Sequence, residues 1–244
     1  MIPFSPKPKE NSKPRALALP EAVISLAGIE LRADMSGALH VPEFSTLIIS
    51  DLHLEQGTSL ARRGIRVPPY DTALTIAGLE NVVRRYQPQR LIFLGDSFHD
   101  TEGEMRVEAA LLQRLHKISA AHECFWISGN HDPLPPQLLA GHAADHILLG
   151  PLTLRHEPLR LRHEEFEIAG HLHPGCAVAQ RGRRVSGKCF IADERRLIMP
   201  AFGAYTGALS VFAEPYQRLF ARAQTQAWLI GQQRLYKFPF ERLC

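Results

Sequence analysis

The sequence of 244 residues predicts an α/β protein. In its first half, strand-like and helix-like segments alternate as β-α-β-α-β, which is typical of parallel strands joined by helical crossovers. The second half consists mainly of short strand-like runs separated by turns, and this pattern favours antiparallel pairing. The hydrophobic fraction of 45% and the charged fraction of 22% are those of an ordinary globular protein.

The first half opens with the strand-like runs AVISLAG, IELRAD and ALHVP, followed by the apolar segment TLIIS. Apolar residues at helical spacing predict a helix over 71–86, with Asp71 as its N-cap and Pro88 beyond its end. RLIFLGD then has the pattern of a strand, 102–118 that of a second helix, and ECFWISGNHD that of a third apolar strand with a polar ending.

The second half predicts the strands HILLG, LTLRH, FEIAGH, CAVAQ, KCFIAD and RLIMP, then a helix (PYQRLFARAQTQ) and a hairpin (AWLIGQQRLYKF). We expect residues 21–244 to form a single domain, with 213–244 as a C-terminal helix and hairpin extension. Residues 1–20 carry five prolines and no sustained apolar run. They are therefore expected to be a disordered tail and not a signal peptide.

Composition excludes several classes of protein. No segment approaches the roughly 18 apolar residues of a membrane span. The four cysteines are widely spaced without a CxxC pair, so a cysteine metal site is not expected. A net charge of +3 does not by itself indicate a nucleic-acid binder. We expect a cytoplasmic protein without a membrane partner, and its oligomeric state is open.

Polar residues follow four of the predicted apolar strands, at the point where each strand ends. In open α/β sheets, ligands bind at the carboxyl ends of the strands, where the loops converge. Because residues i and i+2 of a strand share a face, two such residues are expected to point at one centre. The residues are Asp51 and His53 after LIIS, Asp96 after LIFLG, Asn130 and His131 after CFWISG, and His171 and His173 after FEIAG.

Carboxylates, imidazoles and an amide oxygen in one place suit divalent metals such as manganese, iron or zinc. The set is larger than one tetrahedral ion requires. It fits two ions about 3.5–4 Å apart that share a carboxylate and clamp an in-line displacement at phosphorus. The pattern therefore predicts a dinuclear metal centre that acts on a phosphoester.

The ordered motifs DLH, GDSFHD, GNHD, a lone His and GHLH resemble those of the calcineurin-like metallophosphoesterase superfamily. SDLHLEQGTSLARRG, PPYDT, LRHEP and PAFGAYTG are further similar to the ligase-associated DNA-damage-response endonucleases and phosphodiesterases of bacterial repair operons. The resemblance implies two packed mixed β-sheets flanked by helices, the αββα sandwich. It also implies a metal-dependent DNA endonuclease of bacterial DNA repair, in which a metal-bound hydroxide attacks a phosphodiester in line.

The resemblance also implies how the ligands divide between two ions. We expect these ions to be Mn²⁺, with iron or zinc as alternatives. His156 is preferred to His163 as the lone histidine, because LTLRH places it at a strand end whereas His163 lies in the charged turn LRLRHEE. The first ion would be held by Asp51, His53, Asp96 and His173, and the second by Asp96, Asn130, His156 and His171, with Asp96 bridging the two.

His131 would be the general acid, because the alkoxide of a phosphodiester departs poorly without a proton. The common motif of the family places its second aspartate three residues after the first. Here that position is His99, and the acid follows at Asp100. The carboxylate that orients His131 is therefore open between Asp100 and Asp132.

Candidate substrate contacts follow the first metal motif. Arg62, Arg63 and Arg66 could neutralise phosphates that flank the scissile one, and a solvated loop is the alternative. Tyr205 could stack on a base, and core packing or a turn is the alternative. The expected partner is DNA or another phosphodiester, with a functionally linked DNA ligase and helicase. Two other functions stay open: a small-molecule or nucleotide phosphodiesterase or phosphatase without DNA activity, and a non-catalytic scaffold.

Overall fold

The computed structural model describes residues 3–4, 21–180 and 182–244. Within these ranges the strands form two mixed β-sheets, which confirms the predicted fold class. Most of the expected disordered tail, 1–20, lies outside the described residues. Strand β1 (Pro3–Phe4) falls within that tail and pairs in parallel with a strand of the larger sheet. Across the described ranges, no helix combines the length and apolarity that crossing a bilayer requires.

The smaller sheet carries most of the predicted β-α-β-α-β half. Its first four strands pair antiparallel, and its fourth to seventh strands pair in parallel. In the order in which they lie side by side, the strands are β2 (Glu21–Leu26), β3 (Ile29–Asp34), β4 (Leu39–Val41), β5 (Thr46–Ile49), β6 (Arg90–Phe93), β7 (Glu123–Ile127) and β8 (His142–Ala144).

Helices connect β5 to β6 and β6 to β7 in the smaller sheet. The helix predicted over 71–86 is present with the same bounds, but the one predicted over 102–118 is broken at Val107 and Glu108, whose backbones are extended. Val107 instead turns its side chain into the core beneath the helices. The helices of this half are α1 (Gln56–Arg62), α2 (Asp71–Tyr86), α3 (Gly103–Arg106) and α4 (Ala109–Ala120).

Asp71 does not act as the N-cap that the sequence predicts. It is the first residue of α2, and its carboxylate accepts a hydrogen bond from the Gly57 amide at 2.8 Å. A Cβ at Gly57 would lie 2.7 Å from the nearer Asp71 oxygen, so the glycine is needed for this contact. The bond fixes α1, which follows the first metal motif, against α2.

The larger sheet mixes parallel and antiparallel pairs, so the expectation of a largely antiparallel second half is only partly met. The adjacent pair β10 and β11 is parallel, because the irregular segment 156–165 carries the chain back between them. Its strands are β1, β9 (His146–Leu149), β10 (Leu152–Arg155), β11 (Phe166–Ala169), β12 (Pro174–Gln180), β13 (Arg183–Ala192), β14 (Arg196–Ile198), β15 (Leu209–Ser210), β16 (Gln226–Ile230) and β17 (Leu235–Pro239).

The C-terminal segment joins the larger sheet. The predicted hairpin is present as β16 and β17, and β16 pairs antiparallel with β13. The predicted helix over 215–226 is limited to α5 (Glu214–Leu219), because Phe220 and Ala221 take extended backbone before a short 3-10 turn at Arg222–Gln224. Tyr216 of α5 is buried in an apolar cluster on the outer face of this sheet.

Apolar side chains fill three layers. The central layer lies between the two sheets and includes Ile48, Ile92, Leu154, Ile168 and Phe190. A second layer packs α2 and α4 on the smaller sheet, and a third covers the outer face of the larger one. Because the two sheets share the central layer, the ends of β5, β6 and β7 lie opposite the ends of β10 and β11.

Glu167 anchors the larger sheet from inside. The fully buried Glu167 carboxylate accepts a hydrogen bond from Arg196 Nε at 2.6 Å, and Arg155 Nε lies 3.3 Å from its other oxygen. Glu167→Ala is expected to lower the free energy of unfolding by about 3–5 kcal/mol, because it leaves the buried Arg196 charge without its partner. Urea denaturation would measure this, and the exposed Glu194→Ala is a control expected to stay within about 0.5 kcal/mol.

Candidate metal centre

The polar residues predicted to meet do lie together, just beyond the ends of β5, β6, β7, β10 and β11. They are not strand residues, however, so the expected sharing of a strand face does not explain their convergence. Several of them instead take left-handed backbone, which costs about 1–3 kcal/mol per residue and is concentrated at functional sites. The φ angles are 54° at Asp51, 43° at His53, 48° at Asp96, 66° at His171 and 48° at His173.

One group of ligand atoms comes from the ends of β5 and β11. His173 Nε2 lies 3.1 Å from Asp51 Oδ1 and 3.3 Å from His53 Nε2. Asp51 is fully buried, and both of its oxygens accept from the His171 amide, at 3.2 and 3.1 Å. The β11 loop is therefore fixed to the β5 loop through the Asp51 carboxylate.

A second group comes from the ends of β6, β7, β10 and β11. His156 Nε2 lies 2.9 Å from Asn130 Oδ1, 3.2 Å from His171 Nδ1 and 3.4 Å from Asp96 Oδ2. His156 Nδ1 donates to the Leu94 carbonyl at 2.7 Å, which fixes the ring and turns its Nε2 towards the other ligand atoms.

Asp96 lies between the two groups. Its Oδ2 is 3.6 Å from His53 Nε2 in the first group and 3.4 Å from His156 Nε2 in the second. Its Oδ1 accepts from the His131 amide at 2.9 Å. A single carboxylate oxygen thus faces both groups, as the bridging position requires.

The chemistry of these groups fits divalent cations. Around His156 Nε2, two oxygens and a second ring nitrogen converge at 2.9–3.4 Å, an arrangement that a divalent cation would stabilise. For metal–ligand bonds of about 2.1 Å, neighbouring ligands lie about 3.0–3.4 Å apart in octahedral or tetrahedral geometry. The distances within each group have this spacing, and both contain the nitrogen and oxygen donors that manganese, iron and zinc accept.

The electrostatics of the site favour positive charge beside its carboxylates. Burial lowers the pKa of His53 to about 3, so its imidazole is neutral. Burial would raise the pKa of Asp96, but the hydrogen bond and charge of His156 outweigh it and lower this pKa to about 2. Burial would also lower the pKa of His156, but Asp96 and Asp51 raise it to about 9. The carboxylates thus attract positive charge to the point that a metal would occupy.

Glycines precede the ligands because other ligands pack against them. A Cβ at Gly95, whose φ is +81°, would lie 2.6 Å from His156 Nδ1. A Cβ at Gly170 would lie 1.9 Å from Ser50 Oγ and 2.6 Å from Asp51 Oδ2. The glycine in LGD and that in AGH are therefore needed for the ligand loops to approach one another.

The candidate acid His131 stands beside the first group. Its ring meets that of His53 edge-on at a centroid distance of 5.0 Å and stacks on that of His99 at 5.1 Å. His131 Nδ1 donates to the His99 carbonyl at 2.9 Å, which leaves Nε2 as the nitrogen that can exchange a proton with substrate. A backbone carbonyl, and not a carboxylate, therefore orients this imidazole.

The two carboxylates expected to orient His131 have other partners. Asp100 forms a bidentate pair with Arg106 at 2.8 and 2.7 Å, which lowers its pKa. Asp132 accepts from the Phe98 amide at 2.9 Å, and burial raises its pKa to about 7. Because the acid stands at position 100 and not 99, it pairs with Arg106 of α3. The expectation that Asp100 or Asp132 orients His131 is therefore wrong, since the His99 carbonyl takes that place.

His99 is a residue of the site that sequence reasoning used only as a mismatch. Its Nδ1 lies 3.3 Å from His53 Nδ1, on the side of that ring away from the metal ligands. A metal-binding histidine usually donates its second N–H to an outer partner, and here His99 takes that place. The sequence did indicate a role for His99, since this histidine stands where the common motif has an acid.

The remaining candidates are placed around the centre. His163 is 97% exposed at its turn, whereas His156 is buried in the second group. Arg62 ends α1 and pairs with Glu102, and Arg63 and Arg66 follow it on the exposed surface. The Arg63 charge contributes, after burial and His131, to lowering the pKa of His99, so Arg63 lies on the His99 side of the site.

Tyr205 is half-buried in the loop between β14 and β15. Two residues earlier, the Gly203 amide donates to the Asp51 carbonyl at 3.1 Å, and the Phe202 amide donates to the Ser50 carbonyl at 2.9 Å. Lys188 Nζ holds the same loop through the carbonyls of Ala201 and Gly203. The loop that carries Tyr205 is therefore fixed to the first metal motif.

Comparison with known proteins agrees with this geometry. The sequence model of the family described as calcineurin-like phosphoesterase matches residues 44–178, more than half of the chain. The crystal structure of Pseudomonas putida nuclease MPE has 25% identity and a TM-score of 0.71, over 89% of this chain and 100% of that one. Yfce, a phosphoesterase from E. coli, has 14% identity and a TM-score of 0.40, over 80% of this chain and 98% of that one. No curated protein sequence matches the chain.

Proposed function

The chain belongs to the calcineurin-like phosphoesterase family, and we propose that it is a two-metal phosphodiesterase that cleaves DNA. A metal-dependent phosphoesterase follows from the family and from the likeness to a nuclease. The finer proposal concerns the metal, the substrate and the roles of individual residues.

The observation that carries the proposal is the position of Asp96 Oδ2, at 3.6 Å from His53 Nε2 and 3.4 Å from His156 Nε2. A carboxylate oxygen that faces two ligand groups supports a pair of ions and not a single one. When bound, two divalent ions would activate water and withdraw charge from the phosphoryl oxygens. We propose Mn²⁺ because the donors are mainly imidazole nitrogen and carboxylate oxygen, with iron or zinc as alternatives.

The protein side chains would divide the remaining work. His131, oriented by the His99 carbonyl, would give a proton from Nε2 to the leaving oxygen. His99 would hold the His53 ring through its Nδ1 contact. Asp51 would keep the β5 and β11 loops together by accepting from the His171 amide. Each role concerns a group that the fold holds in a fixed orientation before substrate arrives.

The alternatives differ in what they require of the site. A non-catalytic scaffold does not need its ligands, yet all seven candidate ligands lie together here, and the His99 carbonyl engages Nδ1 and not Nε2 of His131. A nucleotide or small-molecule phosphodiesterase needs the metals but not the arginines beyond them. DNA is favoured because Arg62, Arg63 and Arg66 are exposed at and beyond the end of α1, the helix that follows the first metal motif, and the structural match is called a nuclease. A place in bacterial DNA repair, in the cytoplasm beside a DNA ligase and a helicase, remains part of this proposal.

The arginines provide the test of DNA as substrate. Manganese-loaded protein is expected to nick DNA, and Arg62, Arg63 and Arg66 changed together to Ala should weaken that cleavage. If each contacts one phosphate of a single strand, the slope of log affinity against log salt should fall by roughly 2, since each contact contributes about 0.7. Exposed surface ion pairs such as that of Arg62 with Glu102 are weak and can exchange for phosphate.

A control should remove equal charge elsewhere, and Arg184, Arg218 and Arg234, all exposed, serve this purpose. The control variant should keep the wild-type salt slope on DNA. Hydrolysis of bis(p-nitrophenyl) phosphate, which has no flanking phosphate for the arginines to contact, should persist in the test variant. Wild-type protein that hydrolyses this diester and leaves every DNA intact would replace the nuclease with a small-diester phosphodiesterase.

A further inference from the structure

An open cavity of ≈ 490 Å³ adjoins the second ligand group. Asn130 and His156 form part of its wall, so the space is continuous with the proposed metal centre. Its volume falls within the range of about 300–1,000 Å³ of small-molecule sites. A phosphodiester held between the two groups would therefore extend one of its substituents into this space.

The charges of the cavity disfavour a phosphate in it. Asp145 and Glu157 are exposed carboxylates in its lining. Arg155 also lines it, at 3.3 Å from a Glu167 carboxylate that Arg196 shares, so two carboxylates face one guanidinium in the lining. Arg62 instead ends α1, Arg63 and Arg66 follow it, and Arg63 lies on the His99 side of the centre, beside the first group. The two sides of the centre thus differ in sign, and the anionic backbone of a nucleic acid suits the α1 side.

The remaining lining suits an uncharged ring with polar edges. Leu159, 53% exposed, supplies an apolar surface, and His146 supplies a flat ring. The Asp145 and Glu157 carboxylates can accept hydrogen bonds from an exocyclic amino group, as acidic side chains do from cytosine N4. Adenine, cytosine and guanine carry such a group, and thymine does not.

We propose that this cavity binds the nucleoside on the retained side of the scissile phosphate, with preference for a base that carries an exocyclic amino group. The inference rests on the proposed function, because it names the part of the phosphodiester that fills the space. In duplex DNA the amino group is engaged in pairing, so the base must leave the stack to enter. The cavity thereby favours single-stranded or unpaired sites.

Two substrates isolate the base. The p-nitrophenyl esters of deoxyadenosine and thymidine 5′-monophosphate share their leaving group, sugar and phosphate. Manganese-loaded protein is expected to show a kcat/KM about tenfold higher for the deoxyadenosine ester, as expected for one hydrogen bond to a charged acceptor. Asp145→Asn combined with Glu157→Gln should bring the ratio towards one. A carboxylate only accepts hydrogen bonds, whereas an amide also donates them and no longer selects for an amino group. Glu194→Gln, an exposed carboxylate outside the cavity, should keep the wild-type ratio.

A ratio near one in the wild type, or a ratio that the double variant leaves unchanged, would overturn the inference even though both esters are hydrolysed. If neither ester is hydrolysed, the proposed function fails separately, and binding decides the cavity. Deoxyadenosine and thymidine would then be titrated by calorimetry into the manganese-loaded protein. Saturable binding of deoxyadenosine that exceeds that of thymidine and weakens in the double variant supports the site, and equal or absent binding overturns it.

Discussion

Replacing Asp96 with asparagine is expected to remove metal from both ligand groups and to abolish hydrolysis of every phosphodiester. Asp96 Oδ2 faces His53 Nε2 at 3.6 Å and His156 Nε2 at 3.4 Å, so one substitution weakens both sites. The amide also loses the negative charge that attracts the cations. We expect metal affinity to fall by more than the roughly 10–100-fold that is typical of losing an outer-shell partner.

Elemental analysis and calorimetric titration with Mn²⁺ would measure the metal stoichiometry. We expect two ions per wild-type chain and fewer than one per variant chain. Asn130→Ala is the matched comparison, because Asn130 contacts only the second group and its loss should leave one ion bound. The exposed His163→Ala is the control and should keep two. An active wild-type preparation that holds a single ion, or an Asp96→Asn variant that keeps both, would refute the bridging role.

The sequence located this centre because polar residues that end apolar strands form an unusual pattern. The apolar cores of β5 and β6 and the helix over 71–86 follow from periodicity, and their order brings the strand ends together. How the side chains converge did not follow from the pattern. The expectation of a shared strand face was wrong for Asp51 and His53, which lie beyond β5 in left-handed backbone. Non-glycine residues adopt this backbone only where surrounding contacts enforce it.

The contacts of His131 were the least predictable part of the site. Motif spacing gives information on side chains only, so it predicted Asp100 or Asp132 as the group that orients His131. The His99 carbonyl accepts from His131 instead, and a backbone acceptor leaves no trace in residue type. Asp100 was already committed to Arg106, six positions along the chain, through two hydrogen bonds. A strong local ion pair thus decided which group was left for the imidazole.

Changing His131 to alanine is expected to keep both metals and to slow cleavage of DNA by roughly 10²–10⁴-fold, the usual contribution of a positioned acid. The His131 ring contacts the His99 carbonyl, stacks on the His99 ring and meets the His53 ring edge-on. The hydrogen bond from His131 to Asp96 comes from the backbone amide. Alanine retains that amide, so the bridging carboxylate should stay in place.

The leaving group separates acid catalysis from a structural effect. A deoxyribose alkoxide needs a proton as it departs, whereas p-nitrophenolate departs as a stable anion. The His131→Ala variant should therefore lose far less activity on bis(p-nitrophenyl) phosphate than on DNA, with manganese stoichiometry unchanged. His99→Ala is the informative comparison, because it keeps the carbonyl that orients His131 but removes the ring contacts with His53 and His131. It should weaken metal binding and affect both substrates alike. Equal losses on the two substrates in His131→Ala would mean that the imidazole positions the site and does not deliver the proton.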